Sequence, residues 1–211
     1  MPERCTPRPP SPLAHEDRLR GRGRFRIAGV DEVGRGTLAG PVVAAAVMLP
    51  PGVWIEGAGD SKTLSAVRRG QLAVEIRARA LSIGVGAASV REIDSLNIAG
   101  ATALAVERAL GALTEPPDHV ILDGRPMQRL RWVHEAVVGG DATVHSVGCA
   151  SIIAKVVRDG LMWRLAERYP RYGWQTNVGY GTPEHIEALG TFGVTSHHRR
   201  SFAPVRLRLE I

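Results

Sequence analysis

The sequence predicts an α/β domain in which helices flank a mixed central sheet. Two apolar strands, at 25–31 and 42–49, are separated only by a glycine-rich turn, which predicts a hairpin. After them, strand-like and helix-like runs alternate along the chain. An antiparallel start followed by alternating strands and helices is typical of a layered α/β domain.

Local patterns predict the helices and strands that follow the opening hairpin. Thr63 and Ser65 are candidate caps for a helix over 61–80, where apolar residues recur at helical spacing. Alternating character predicts a strand at 81–88. The same criteria predict a short helix or connection at 89–97, a helix at 98–113, strands at 119–122 and 130–138, a long helix at 147–169 and a helix at 183–189.

The chain of 211 residues is long enough for one domain with a substantial core. Residues 1–24 are rich in Pro and Arg and poor in apolar side chains, which predicts a disordered leader before a folded domain at 25–211. Residues 1–26 hold seven Arg against three acids, and hence most of the formal net charge of +6. This segment either contacts a polyanion such as nucleic acid or is simply solvated.

Several classes of protein are excluded or disfavoured. No apolar run approaches the length of a membrane span, and the N-terminus lacks the apolar core of a signal peptide. Cys5 and Cys149 lie in very different contexts, so we expect no disulfide and a cytoplasmic location. The sequence has no phosphate-binding Gly-Lys-Ser/Thr motif, no Gly-x-Ser-x-Gly elbow and no Cys/His cluster with zinc-ligand spacing.

Four acids follow predicted strands. Asp31 and Glu32 close the first strand, where adjacent carboxylates repel each other and are costly to desolvate. Asp123 and Asp141 follow later strands, although Asp-Gly or Gly-Asp alone is also typical of an ordinary turn. Because ligands of such sheets usually bind at strand ends, the acids could converge. Carboxylates of this kind predict a site for two Mg²⁺ or Mn²⁺ ions.

Basic and glycine residues add a phosphate-binding element. Gly34, Arg35 and Gly36 form a loop that can bring bare backbone and a guanidinium close to a phosphate. Only two of the 27 basic residues are lysines. We expect Lys62 to hold a backbone phosphate, and Lys155 to do the same or to pair with a core acid. Metal-binding carboxylates beside a phosphate-binding loop favour phosphodiester chemistry.

Seven segments, in this order, resemble those of bacterial ribonuclease HII, a type 2 ribonuclease H. They are AGVDEVGRG at 28–36, LAGPVVAAAV at 38–47, DSKTLS at 60–65, DG at 123–124, ASIIAKVVRD at 150–159, GYGTPEH at 179–185 and HRRSFAPV at 198–205. The resemblance implies a ribonuclease H-like fold. It also implies a monomeric two-metal endonuclease that cuts the RNA strand of RNA/DNA hybrids. Such an enzyme also nicks DNA on the 5′ side of an embedded ribonucleotide, leaving 3′-hydroxyl and 5′-phosphate ends.

The resemblance also implies roles for individual residues. The metal-binding acids of the family match Asp31, Glu32, Asp123 and Asp141. The loop at 34–36 matches the family's reader of the ribose 2′-hydroxyl, the group that distinguishes RNA from DNA. Tyr180 matches the aromatic residue that packs on the ribonucleotide at the junction.

Some alternatives stay open at this point. Asp159 is the rival of Asp141 for the fourth acid, although its place beside Arg158 on a long helix favours an ion pair. Residues 175–178 replace a basic run of many relatives, so a phosphate contact there is doubtful. Two other functions remain: a nuclease of the same fold that cuts all-DNA duplexes, and a nucleic-acid-binding module without catalysis. A protein that only binds nucleic acid would gain no affinity from four acids that face phosphates.

Overall fold

The central sheet of the protein has five strands in the order β3-β2-β1-β4-β5. The computed structural model describes residues 11–209. The strands are β1 (Ile27–Val33), β2 (Val42–Met48), β3 (Ser82–Ala88), β4 (His119–Asp123) and β5 (Glu135–Val137). β1 pairs antiparallel with β2 and parallel with β4. β2 and β3 are antiparallel, and β4 and β5 are parallel. The predicted mixed sheet and its opening hairpin are thus confirmed.

Helices cover both faces of the sheet. They are α1 (Ala14–Arg20), α2 (Ala66–Arg79), α3 (Val90–Gly111), α4 (Gly140–Thr143), α5 (His145–Arg168), α6 (Trp174–Asn177), α7 (Pro183–Phe192) and α8 (Ala203–Arg206). One core lies between the sheet and α3, and a second lies between the other face and helices α2 and α5. A third cluster, around Trp174 and Leu189, joins α5 to the C-terminal helices.

Small residues in the strands let the helices approach the sheet closely. A Cβ on Gly84 would lie 1.9 Å from the carbonyl oxygen of Ala109 in α3. A Cβ on Gly29 would lie 2.2 Å from the carbonyl carbon of Ser146 in α5. Since real side chains never approach backbone so closely, glycine is required at both positions.

One predicted helix differs in detail from the structure, and one predicted boundary between helices is confirmed. The region 61–80 begins with a 3-10 turn at Ser61–Thr63, and α2 itself begins after Ser65, whose hydroxyl accepts from the Arg68 amide at 3.2 Å. The predicted boundary between the segments at 89–97 and 98–113 is confirmed, because α3 is interrupted by a kink at Asn97, which has φ 57°. The Asn97 side chain accepts from the amide of Ala99 at 3.0 Å and so restarts the helix.

The strand predicted at 130–138 is wrong for its first half. Only Glu135–Val137 pairs in the sheet. The preceding residues fold around His134, whose Nε2 accepts from the Met127 amide at 3.0 Å. A side chain therefore satisfies this backbone, and the apolar residues of the segment cover the α3 core rather than extend a strand.

The disordered leader predicted at 1–24 is wrong for Ala14–Arg20, which form α1. Leu19 is buried against Ile27, Ile121, Val144 and Val147, so this short segment joins the core despite its polar composition. Residues 1–10 lie outside the described residues. Across 11–209, no helix is both long and apolar enough to cross a membrane.

We expect Gly84→Ala to lower the free energy of unfolding by about 1–3 kcal/mol, because the new methyl group would overlap α3 backbone. Gly70→Ala in α2 is the matched control: its Cβ would meet nothing within 4 Å. Since alanine favours helix over glycine, this control should gain up to about 1 kcal/mol. Urea denaturation measures both variants, and equal effects would contradict the close packing of α3.

Candidate active site

The acids predicted from the sequence come together at one edge of the sheet. Asp31 and Glu32 lie near the end of β1, and Asp123 is the last residue of β4. Because β1 and β4 are parallel neighbours, their carboxyl ends lie at the same edge. Asp141 lies in α4, four residues after the end of β5.

Asp123 fixes the segment that carries Asp141. Its Oδ1 accepts from the Gly140 amide at 2.7 Å and from the Asp141 amide at 3.4 Å. Gly139 makes the turn possible with φ 69°, a left-handed conformation that glycine adopts freely. The carboxylates of Asp123 and Asp141 are therefore neighbours. The pKa of Asp141 is raised by burial first and then by the charges of Asp123 and Asp60, while Lys62 lowers it.

The pair at the end of β1 is electrostatically strained. Burial, and then repulsion by Glu32, raises the pKa of Asp31 from 3.8 to about 7, while a hydrogen bond from Ser151 opposes the shift. The pKa of Glu32 is also raised, mainly by burial, although Arg35 lowers it. Within the described chain, Oε2 of Glu32 is buried without a hydrogen-bond partner. Such a group of buried acids favours a bound cation.

The donor set fits a hard divalent cation. All four acids offer carboxylate oxygens, which Mg²⁺ and Mn²⁺ prefer. As the side chains of residues 11–209 stand, no three Asp, Glu, His or Cys groups form a closed metal-binding cluster. Glu32 instead accepts from Arg35 at 3.1 Å. A cation would have to compete with this exposed guanidinium for the carboxylate.

The loop at 34–36 lies directly beside the acids. Gly34 has φ +91°, and its Cβ would lie 2.0 Å from Nε of Arg158, so only glycine fits there. Gly36 and Arg35 are exposed. The loop therefore has a fixed base and an open tip.

Two buried arginines, which sequence reasoning did not place in the site, hold this loop. Arg199 donates to the backbone oxygens of Arg35 at 2.8 Å and of Gly40 at 2.9 and 3.0 Å. Arg158 donates to Pro41 at 3.0 Å and to Thr37 at 2.9 Å. Both are fully buried without a carboxylate partner among these contacts. The motifs RD at 158–159 and HRR at 198–200 contain them, but nothing in the sequence indicates their burial.

Tyr180 is positioned by a histidine network. The residue is 44 % exposed, while its backbone oxygen accepts from Nδ1 of His185 at 2.8 Å. Nε2 of His185 lies 3.1 Å from the indole nitrogen of Trp174 and 3.0 Å from Nε2 of His198. These partners assign the His185 proton to Nδ1. Arg158 also donates to the backbone oxygen of Val178 at 2.9 Å, and thus links this segment to the loop.

The two lysines occupy different environments. Lys62 is exposed, and its Nζ lies 4.0 Å from the Asp141 carboxylate. Lys155 donates to Asp159 at 2.8 Å, and Arg69 lies 3.8 Å from the same carboxylate. Asp159 is thus held in ion pairs on α5, as its sequence context indicated, whereas Asp141 faces Asp123.

A groove of about 600 Å³ opens beside the acids. It runs between α3 and the loop after β4, with Glu32 and Asp123 at one end. Arg35, Arg125 and Arg129 line it. A groove with acids at one end and guanidinium groups along its wall suits a phosphate backbone.

A mixed five-stranded sheet with acids at the ends of its central strands defines the class as a ribonuclease H-like enzyme. The crystal structure of the ribonuclease H2 from Pyrococcus horikoshii OT3 is similar, with a TM-score of 0.69 and 26 % identity, covering 87 % of this chain and 97 % of that one. The ribonuclease HII of Archaeoglobus fulgidus, solved in a complex with PCNA, has a TM-score of 0.66 and 28 % identity over 82 % and 91 % of the two chains.

The chain belongs to the ribonuclease HII family, whose model matches residues 28–205. The ribonuclease HII of Thermosynechococcus vestitus is 52 % identical over 199 residues, covering 92 % of this chain and 91 % of that enzyme. That of Thiobacillus denitrificans is 53 % identical over 188 residues, covering 89 % and 92 %. The predicted resemblance is confirmed, and the protein is an endoribonuclease that acts on RNA/DNA hybrids.

The raised pKa of Asp31 predicts a specific pH dependence of stability without metal. A folded-state pKa of about 7 against 3.8 contributes stability that is complete below about pH 4 and is lost as the pH rises through 7. Glu32 and Asp141 shift in the same direction. An asparagine at this position would not titrate, so the variant Asp31→Asn escapes this loss. In EDTA, the free energy of unfolding of Asp31→Asn, relative to that of wild type, should therefore rise by on the order of 2 kcal/mol when the pH is raised from about 5 to about 8.

Urea denaturation at the two pH values measures this gain. Asp159→Asn is the control, because it breaks an ion pair and should lose stability at both pH values. A stability difference between Asp31→Asn and wild type that is the same at both pH values would contradict the raised pKa of Asp31.

Proposed function

We propose that the protein hydrolyses the RNA strand of RNA/DNA hybrids and nicks DNA 5′ of an embedded ribonucleotide, leaving 3′-hydroxyl and 5′-phosphate ends. The observation that carries the proposal is the gathering of Asp31, Glu32, Asp123 and Asp141 at one strand edge, where burial and mutual repulsion favour bound cations. We assign these four acids as the ligands of two Mg²⁺ or Mn²⁺ ions.

The metal ions would supply Lewis-acid stabilisation of the scissile phosphate and activation of the attacking water. The protein contributes the arrangement of the ligands. The Glu32 amide, which donates to Oδ1 of Asp31 at 2.7 Å, orients the first carboxylate. The amides of Gly140 and Asp141 orient Asp123. These hydrogen bonds reduce the rearrangement that metal binding requires.

Asp141 is preferred over Asp159 as the fourth acid. Asp141 lies beside Asp123 and faces an exposed lysine, whereas Asp159 is occupied by Lys155 and Arg69. A carboxylate in two ion pairs would have to release both before it could bind a cation.

Recognition of the ribonucleotide is assigned to the loop at 34–36 and to Tyr180. A protein distinguishes RNA from DNA at one nucleotide by contacting the 2′-hydroxyl. The backbone of Gly34, Arg35 and Gly36 can approach that group closely, and the exposed ring of Tyr180 can pack on the sugar. Lys62 would bind a flanking phosphate as a point charge.

All four acids come from one chain, which supports a monomeric enzyme. The free thiol of Cys149 is buried and suits a reducing cytoplasm. Light scattering of the purified protein tests the monomeric state, and fractionation of cells tests the cytoplasmic location.

Asp31→Asn should lower the cleavage rate of a duplex with one embedded ribonucleotide by on the order of 10³-fold, since several kcal/mol of charge stabilisation would be lost. Binding of the duplex, measured by fluorescence anisotropy, should persist. Asp159→Asn is the matched control and should retain cleavage. Unchanged cleavage by Asp31→Asn would overturn the assignment of the metal ligands.

The same assay separates the alternative functions. A duplex without any ribonucleotide should remain intact, and its cleavage would favour a DNA nuclease of the same fold. A binding module without catalysis would cleave no substrate with either Mg²⁺ or Mn²⁺.

Arg125→Ala should weaken substrate binding uniformly across sequences and reduce the slope of log affinity against log salt by about 1, if its guanidinium meets a phosphate in the groove. We expect KM to rise with little change in kcat. Arg131→Ala is the control, because that side chain is 90 % exposed, pairs with Glu107 and lies outside the groove lining. Equal salt slopes for the two variants would contradict a phosphate path through the groove.

A further inference from the structure

The α1 helix lies before the family match, which begins at residue 28, and yet it is attached to the segment that carries Asp141. Glu16 of this helix is only 2 % exposed. Its Oε1 accepts from the backbone amide of Ser146 at 2.8 Å and from the Ser146 hydroxyl at 2.9 Å. Burial of a glutamate in a surface helix is rare and costly, so a local structural reason is required.

That reason lies at the N-terminus of α5. This helix of 24 residues begins directly after Val144, and its N-cap residue makes no side-chain hydrogen bond to the first turn. Glu16, distant in sequence, supplies the missing carboxylate, where both the free amides and the helix dipole favour a negative charge. Glu16 of α1 therefore caps the N-terminus of α5, although the two helices are far apart in the sequence.

The apolar and charged contacts of α1 act on the same region. Leu19 packs against Val144 and Val147 at the junction of α4 and α5. On the other side of Asp141, Glu135 of β5 lies 3.2 Å from His15 and 3.5 Å from Arg18. α1 thus holds the chain both before and after the segment at 138–144.

The first turn of α5 packs on β1, which carries Asp31, and on the backbone of Asp141 in α4. The Ser146 backbone packs on Gly29, two residues before Asp31. A Cβ on Gly148 would lie 2.8 Å from the backbone oxygen of Asp141, so the helix lies directly against that residue. A shift of the first turn of α5 would therefore move Asp141 relative to Asp31.

We propose that α1 is a clasp that positions Asp141 for metal binding, with Glu16 as its principal positioning residue. The inference rests on the proposed function of Asp141 as a metal ligand. Glu16 itself contacts neither the acids nor the substrate groove. It acts only through Ser146 and the start of α5.

Calorimetric titration of the full chain with Mn²⁺, without substrate, tests the clasp. Glu16→Ala should raise the Kd for Mn²⁺ by about tenfold, a typical effect of losing support behind a metal ligand. Glu16→Gln keeps an acceptor oxygen and should lie close to wild type. Asp17→Ala is the matched control on the same helix, because Asp17 is exposed and its side chain pairs, among residues 11–209, only with Arg20 at 3.1 Å. With saturating Mn²⁺, kcat of Glu16→Ala should recover.

Thermal unfolding in EDTA separates positioning from general stability. If Glu16→Ala lowers the melting temperature but leaves the Kd for Mn²⁺ unchanged, the proposal that α1 positions Asp141 is overturned. Should that variant not fold, Ser146→Ala removes one of the two hydrogen bonds and should weaken Mn²⁺ binding by a smaller factor, and an unchanged Kd would again overturn the inference.

Asp141→Asn, measured in parallel, distinguishes this failure from a failure of the proposed function. Weaker Mn²⁺ binding in Asp141→Asn but not in the Glu16 or Ser146 variants overturns the clasp alone. An unchanged Kd in Asp141→Asn overturns the fourth ligand and the clasp with it.

Discussion

The close contact between α5 and β1 is the constraint on which the acidic edge of the sheet depends. It is possible only because residue 29 is glycine, which lets the backbone of Ser146 rest on the strand. Later turns of α5 then lie beside Asp31 and beside the loop that follows β1. Ser151 lies close enough to Asp31 to lower its pKa, and Arg158 donates to the backbone oxygen of Pro41 in the loop after the strand. One rigid helix therefore sets the distance between Asp31 and the loop at 34–36.

The site concentrates negative charge in a place where water is scarce, and the surrounding structure opposes the resulting repulsion only in part. Amides donate to Asp31 and Asp123, and Arg35 pairs with Glu32, but the pKa of Asp31 still rises to about 7. Complete neutralisation by fixed protein groups would leave little affinity for a cation. The residual strain is consistent with the electrostatic demand of a metal-dependent phosphodiesterase.

The positions of three acids could be predicted from the sequence, because a strand end is visible in the pattern of apolar residues. Asp31 and Glu32 lie near the end of β1, and Asp123 is the last residue of β4. Asp141 was harder, because its position depends on the left-handed turn at Gly139 and on hydrogen bonds to a distant Asp123. The burial of Arg158 and Arg199 was not predictable, since arginine is usually a surface residue. The α1 helix was missed because one buried leucine and one buried glutamate give no periodic signal in seven residues.

The buried arginines explain how a glycine-containing loop can be held in one conformation. Glycine alone would leave the segment at 34–36 free to adopt many conformations, and a flexible loop would lose much of its binding energy to ordering. Arg199 binds the backbone oxygens of Arg35 and Gly40, and Arg158 fills the space beside Gly34. Within residues 11–209, the amides of the exposed Arg35 and Gly36 donate to no protein acceptor, so two hydrogen-bond donors of the loop are left without a protein partner. Donors held in place suit the oxygen of a ribose hydroxyl or a phosphate, whereas the missing hydroxyl of a deoxyribose would leave them without a partner.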